Sequence, residues 1–466
     1  MDEAQIRRIV ARVLSELEPS AQAPIQLPDR PIGVYDAVDT AQSAARSAHR
    51  ALVALGLDKR RAIIDSIRRR CAAEVHNLAR LAVEETGLGR VDDKIKKNLL
   101  VIHKTPGTEI LKPEAWTGDD GMTLLERAPF GVIGSITPCT NPTETIINNG
   151  IGMVAGGNAV VFNTHPAARR TSAYVIDLIN RAALEAGGPQ DLMTCVAEPT
   201  IDTAQAVMTH PNTNLVVVTG GGGVVKAAMR SGKKCVAAGP GNPPVVVDQT
   251  ADLEQAARGI YQGASLDNNI ICTDEKEVIA VDSIFDALMD RLEGQGAVRL
   301  RNYQIQKLER LILTDGGAHS NRDWVGRDAR RYLEAIEVPF KGDPRLIVCE
   351  VPFEHPFVQL ELLMPVIGVV RARDTQHAIK MAVEAEHGFR HTASMYSRDV
   401  AALHAMARAV DCSIFIKNAP NYAGLGLGGE GYTSFTIASP TGDGLTTART
   451  FTRERRCTLS GYFRIV

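Results

Sequence analysis

The 466-residue sequence predicts an α/β protein with more than one lobe. Short runs rich in Val and Ile recur along the chain, each followed by a stretch of helical periodicity. That alternation marks parallel strands joined by right-handed crossovers. Glycine numbers 40 while aromatics make up 5%, a balance suited to many tight turns around aliphatic strands. The length, at roughly 150 residues per domain, points to two or three lobes. Composition excludes several function classes. A formal charge of −2 implies no polyanion, so no nucleic-acid partner is expected. The eight cysteines are scattered without a C-x-x-C pair, which fits neither a zinc cage nor a disulfide scaffold, and no metal site is expected. No apolar run reaches the ~18 residues of a membrane span, and no secretory leader opens the chain. The expectation is a reduced, intracellular protein that does not enter membranes.

The elements follow in order. In MDEAQIRRIVARVLSELEP, residues Ile6, Ile9, Val10, Val13, Leu14 and Leu17 fall on one helical stripe of roughly 140°. Residues 1–18 therefore form an amphipathic helix, and the Pro/Ala-rich stretch 19–31 is a linker. Such a helix either folds back on its own core or enters a groove on a partner. Acidic Asp2, Glu3, Glu16 and Glu18 argue against a mitochondrial presequence. From Asp39 to about Lys104 the pattern is helical, broken at Thr86–Arg90. Strands and helices then alternate: GVIGSIT (131–137), a helix over 141–156, NAVVFN (158–163), a helix over 167–186, TCVAE (194–198), a helix over 201–208, LVVVTG (215–220), a helix over 224–230, and KKCVAAG (233–239). This series reads as a Rossmann-type nucleotide-binding lobe. A second αβ series runs through 276–282, 345–351, 363–372, 391–397 and 413–418, with a helix over 375–386. The tail, 441–466, reads as a strand-like arm that pairs with another subunit.

Two stretches invite chemistry. In VTGGGG (218–223) a strand meets a helix across glycines, so bare backbone and free N–H groups face whatever lies there. It matches neither G-x-G-x-x-G nor a P-loop, and a plain structural turn is the competing reading. No acidic residue ends the second strand of the lobe; His165 stands there instead, so this feature does not dictate NAD over NADP. In DNNIICTDEKEV (267–278) a single thiol, Cys272, lies in a polar loop between the two series. The bland alternative is a small packing residue. That reading suits Cys71, Cys195, Cys235, Cys349 and Cys412, which sit in helix or strand patterns.

Six stretches in order carry a resemblance: 129–149, 157–169, 219–229, 237–248, 267–278 and 360–370. Together they resemble the aldehyde dehydrogenase superfamily from about Asp39 to the C-terminus, and within it the CoA-acylating propionaldehyde and acetaldehyde dehydrogenases of bacterial microcompartments. The resemblance implies a Rossmann-type cofactor domain over 32–235, with part of an oligomerisation arm near 116–128. It further implies an αβ catalytic domain over 236–440 and the rest of the arm over 441–466. It also implies a homodimer or homotetramer.

By resemblance Cys272 is the nucleophile. A cysteine suits the role because a few per cent is thiolate at neutral pH and the thiolate is strongly nucleophilic. The resemblance gives the oxyanion an Asn side chain, here Asn141, and the Cys272 backbone N–H. TPCTNP is shifted by one residue against the commoner spelling, which leaves Thr140 as the alternative. Asn141 also reads as a helix N-cap before Pro142. Glu361 matches the carboxylate that holds the nicotinamide ribose, and His165 and Pro166 match the adenosine-ribose loop. Thr137, Pro199, Gly220, Gly221 and Gly239 line the same groove, with NAD as the cofactor. At AAGPGNPP, Ala238 stands where hydrolytic relatives carry a water-activating Glu. The implied product is therefore acyl-CoA, formed when CoA takes the acyl group from the enzyme. Propanal is the favoured short-chain aldehyde, and residues 1–18 are implied to bind shell proteins and place the enzyme in a microcompartment lumen. The rivals are a hydrolytic or semialdehyde dehydrogenase and a non-catalytic assembly protein.

Overall fold

A computed structural model describes residues 31–466. The expected helix 1–18 and residues 19–30 of the linker lie outside the described residues. The chain divides into two compact units. Among the described residues, the first takes in 31–85, Ile95–Ala238 and Tyr432–Val466; the second takes in Thr86–Lys94 and Gly239–Gly431.

A six-stranded parallel sheet forms the frame of the first unit. From edge to edge its strands are Val34–Tyr35, Met193–Val196, Ala159–Asn163, Val132–Ile136, Thr213–Thr219 and Cys235–Ala238. Strands 132–136 and 159–163 are buried at every residue, as expected when helices cover both faces of a parallel sheet. The helix Pro142–Ala155 is also buried throughout, and two of its asparagines reach across to the C-terminal segment. Asn148 Oδ1 accepts from the Phe435 N–H and Asn149 Oδ1 from the Thr436 hydroxyl, each at 3.0 Å. These bonds explain why the chain after Tyr432 belongs to this unit. The terminal strand Thr452–Ser460 then pairs antiparallel with Gly121–Pro129, which also pairs with Glu114–Gly118. Thr452–Ser460 is an edge strand, exposed at every residue but the first.

The second unit is built on seven parallel strands in the order Val298–Leu300, Ile347–Glu350, Val366–Ala372, Glu277–Val281, Pro244–Val247, Thr392–Tyr396 and Ile414–Lys417. Alternate residues feed two separate cores. Val246 and Ile279 pack on one face, and Val245, Val247, Val278 and Ala280 on the other. Pro244–Val247 was hidden inside a proline-rich motif in the sequence. Its proline occupies the first residue of the strand, a position that needs no ladder N–H.

Candidate active site

In the first unit the strand order reverses beside Val132–Ile136. The chain builds outward to one side through 159–163 and 193–196, then crosses to 213–219 on the other. Crevices at the carboxyl ends of strands flanking such a reversal are where open α/β sheets bind ligands. Thr137, Thr164, His165, Pro199 and Gly220 all follow carboxyl ends of strands in this sheet. Thr137 Oγ1 and Thr164 Oγ1 are buried with no hydrogen-bond partner among the described residues. His165 Nδ1 accepts the Ala167 N–H at 3.1 Å, capping the short turn Pro166–Ala168 that Pro166 begins. The Gly220 N–H donates to the Ala238 carbonyl at 3.2 Å.

The fold itself does not demand the four glycines 220–223. None has positive φ, and a Cβ added at any of them would meet nothing within 4 Å. They leave open, bare backbone at the start of the helix Gly222–Met229, whose first N–H groups lack intrahelical acceptors. That cradle fits a dinucleotide pyrophosphate.

Asn141 stands at the N-cap position of helix Pro142–Ala155, but its side chain makes no capping bond. Instead Asn141 Oδ1 accepts from Lys97 Nζ at 2.6 Å, and Nδ2 donates to Thr140 Oγ1 at 3.2 Å. An ammonium only donates, so Lys97 fixes which end of the amide is oxygen and turns the NH₂ group away from itself. Lys97 is also 3.4 Å from Glu144 Oε1, both side chains being buried. Lys97 was illegible in the sequence, where VDDKIKKNLL resembles an ordinary charged helix face.

The second unit contains Cys272. From Gly263 to Val281 every residue is buried except Cys272, which retains partial exposure. The stretch is braced throughout. Asp267, Asn268 and Asn269 all have positive φ (46°, 57° and 63°), a conformation that costs L-residues energy unless their surroundings hold it. Lys94 Nζ bonds Asp267 Oδ2 at 2.9 Å in a fully buried pair, and the Arg90 N–H donates to Asp267 Oδ1 at 2.7 Å. Asn269 Nδ2 donates to the Ala264 and Glu275 carbonyls, and Asn421 Nδ2 to the Thr273 carbonyl. Beyond Cys272, Lys276 Nζ reaches Asn269 O, Asn269 Oδ1 and Ile271 O at 2.9, 2.7 and 2.9 Å.

Glu361 lies in the same unit, its Oε1 accepting the Gly241 N–H at 3.3 Å. A Cβ on Gly241 would lie 2.9 Å from both Cys272 O and His391 Cγ, so these residues are close neighbours. Gly239 opens the longer segment of this unit. Burial, and then the charge of Glu361, push the Cys272 thiol up to about 12, while Lys276 pulls it down. Burial raises Glu361 to about 7, and Lys276 again opposes the shift. His391, absent from the sequence reading, is driven down to about 3 by burial and then by Lys276, so its imidazole is neutral. Its Nε2 is buried without a partner among the described residues.

One unit thus presents an open glycine turn and the other a braced, partly exposed thiol. The chain belongs to the aldehyde dehydrogenase family, whose model matches residues 17–301. It is 48% identical over 471 residues to the acetylating acetaldehyde dehydrogenase EutE of Salmonella typhimurium, covering 100% of both chains. A propionaldehyde dehydrogenase from the fucose-utilisation bacterial microcompartment of Clostridium phytofermentans superposes with a TM-score of 0.92. That match has 48% identity and covers 93% of this chain and 100% of the other. A Rhodopseudomonas palustris propionaldehyde dehydrogenase, solved with bound CoA and an acylated cysteine, superposes at 0.91. Its identity is 45%, over 92% of this chain and 98% of the other.

Proposed function

We infer that this protein is a CoA-acylating aldehyde dehydrogenase that uses Cys272 as its nucleophile. The observation that carries the assignment is the isolation of Cys272 as the one partly exposed residue in a buried, cross-braced stretch. A packing cysteine needs no such mounting. The Cys272 thiolate adds to the carbonyl of a short-chain aldehyde and forms a thiohemiacetal oxyanion. Asn141, its amide oriented by Lys97, and the Cys272 N–H are the donors to that oxyanion, and Thr140 acts through Asn141 Nδ2. NAD, when bound, accepts the hydride. The carbon left on sulfur is then a thioester. Ala238 offers no carboxylate to activate water, so the acyl group passes to the thiol of CoA, a better nucleophile than unactivated water.

Glu361 binds the nicotinamide ribose. The adenosine side is held by His165, Pro166 and Pro199, and the pyrophosphate by Gly220 and Gly221 with Thr137 and Gly239 alongside. His165 offers no permanent positive charge to a 2′-phosphate, which favours NAD. Propanal is the favoured substrate, with acetaldehyde its nearest competitor. The exposed edge strand Thr452–Ser460 is the pairing surface of a homo-oligomer, since an edge strand invites another strand. Residues 1–18 direct the enzyme into a microcompartment lumen by binding shell proteins, and a chain lacking them should stay active yet fail to co-purify with shells.

Purified protein mixed with propanal and NAD, with and without CoA, tests the assignment. The expected result is NADH formation matched by propionyl-CoA and dependent on CoA. Equal turnover to propionate without CoA would contradict it.

A further inference from the structure

Lys276 has no part in the chemistry assigned above, yet its ammonium makes three hydrogen bonds beside the nucleophile. The side chain is buried, and its three N–H donors are matched by three oxygens: Asn269 O, Asn269 Oδ1 and Ile271 O. Among the described residues no carboxylate oxygen forms an ion pair with it. Its hydrogen bonds are to amide oxygens, and its charge is also felt by the carboxyls of Glu361, Glu275 and Glu277 in a low-dielectric interior. Ile271 O is the significant acceptor. It belongs to the peptide group whose N–H is that of Cys272, so the ammonium polarises that N–H from the far end of the same amide. Ile271 O also accepts the Asp274 N–H at 3.1 Å, while Asp274 Oδ2 accepts the N–H of the preceding peptide, that of Ile271, at 3.1 Å.

We propose that Lys276 is the positioning residue of the nucleophile: through the Ile271–Cys272 peptide it fixes Cys272, strengthens its N–H as an oxyanion donor and favours its thiolate. This rests on Cys272 being the nucleophile. The charged and titratable groups around the thiol are Glu361, Asp274 and Lys276, and Lys276 is the cation among them. Glu361 and Asp274 push the thiol up and Lys276 pulls it down, while Lys276 also acts on Glu361, Glu275, Glu277 and His391. One buried cation therefore works on the whole titrating cluster of this unit.

The test is the pH dependence of iodoacetamide alkylation at Cys272, read by peptide mass so that the other cysteines do not interfere, in Lys276→Met, Lys276→Gln and Lys276→Arg. Glu361→Gln calibrates the readout, because removing a negative charge should move the midpoint down. The neutral variants should move it up by about one unit or more, and their kcat/KM should fall by ~10²-fold, the scale of losing one oxyanion donor. The Arg variant should stay near the wild-type midpoint. A folded Met or Gln variant with the wild-type midpoint, while Glu361→Gln shifts, would overturn the proposal. So would failure of both neutral variants to fold, which would make Lys276 a folding residue only. Turnover that survives in Cys272→Ala would instead sink the nucleophile assignment itself, whatever Lys276 does.

Discussion

The nucleophile stretch and the glycine loop are built on opposite principles. Around Cys272 the chain is cross-bonded to its neighbours, three consecutive residues are held left-handed, and two lysines are buried to hold the shape. At Gly220–Gly223 no neighbour lies within reach of an added Cβ. A covalent step needs its reacting atom fixed before substrate arrives, because small misplacements cost large factors in rate. A dinucleotide that enters and leaves needs bare backbone to approach. Rigidity and openness here are allotted by chemical role.

Substitutions can break or sharpen this contrast. Cys272→Ala should abolish turnover and remove any acyl adduct detectable by mass, while the fold persists. Asn141→Ala should lower kcat by ~10²–10³ with a smaller change in KM, checked by steady-state kinetics. The two kinds of glycine should then behave oppositely. At Gly263 a Cβ would lie 2.2 Å from the buried Glu275 carboxylate, which is pinned by the Asn421 N–H. Gly263→Ala should therefore cost ~1–3 kcal/mol in denaturant unfolding. Gly222→Ala should leave stability within about 0.5 kcal/mol yet raise KM for NAD, because the added methyl occupies the ligand's space.

The last effect concerns pH. Burial raises Glu275 to about 8 from an ordinary value near 4.5. The folded state thus holds this proton more tightly than the unfolded chain does. Its contribution to stability is complete below pH ~4.5 and is lost as pH rises toward about 8, by at most ~1.4 kcal/mol per unit. Thermal unfolding of wild type should weaken across that window, and Glu275→Gln should flatten the dependence. An unchanged slope in the variant would mean another group titrates there.

The parallel strands are legible in the sequence where they are aliphatic runs, as at 132–136, 159–163 and 366–372, whose burial is written into their composition. Pro244–Val247 is not, because its prolines mask a central strand. Cys272 was legible from its polar loop and from resemblance. Lys97, Lys276 and His391 were not, because a lysine in DDKIKK or DEKE looks like solvated surface until the fold shows which oxygens it meets. Asn141 was legible as a residue, but its reading as a side-chain cap fails: Lys97, 44 residues away in sequence, takes the oxygen. Such contacts depend on long-range packing that local pattern does not encode.

The central claim is that the acyl group waits on Cys272 for CoA. Protein mixed with propanal and NAD but no CoA, quenched over time and digested, reports it directly through the mass of the Cys272 peptide. A propionyl adduct on that peptide that persists for minutes and discharges on addition of CoA, giving propionyl-CoA, is the predicted result. An adduct on another residue, or one that decays to propionate at the same rate with or without CoA, would contradict the account.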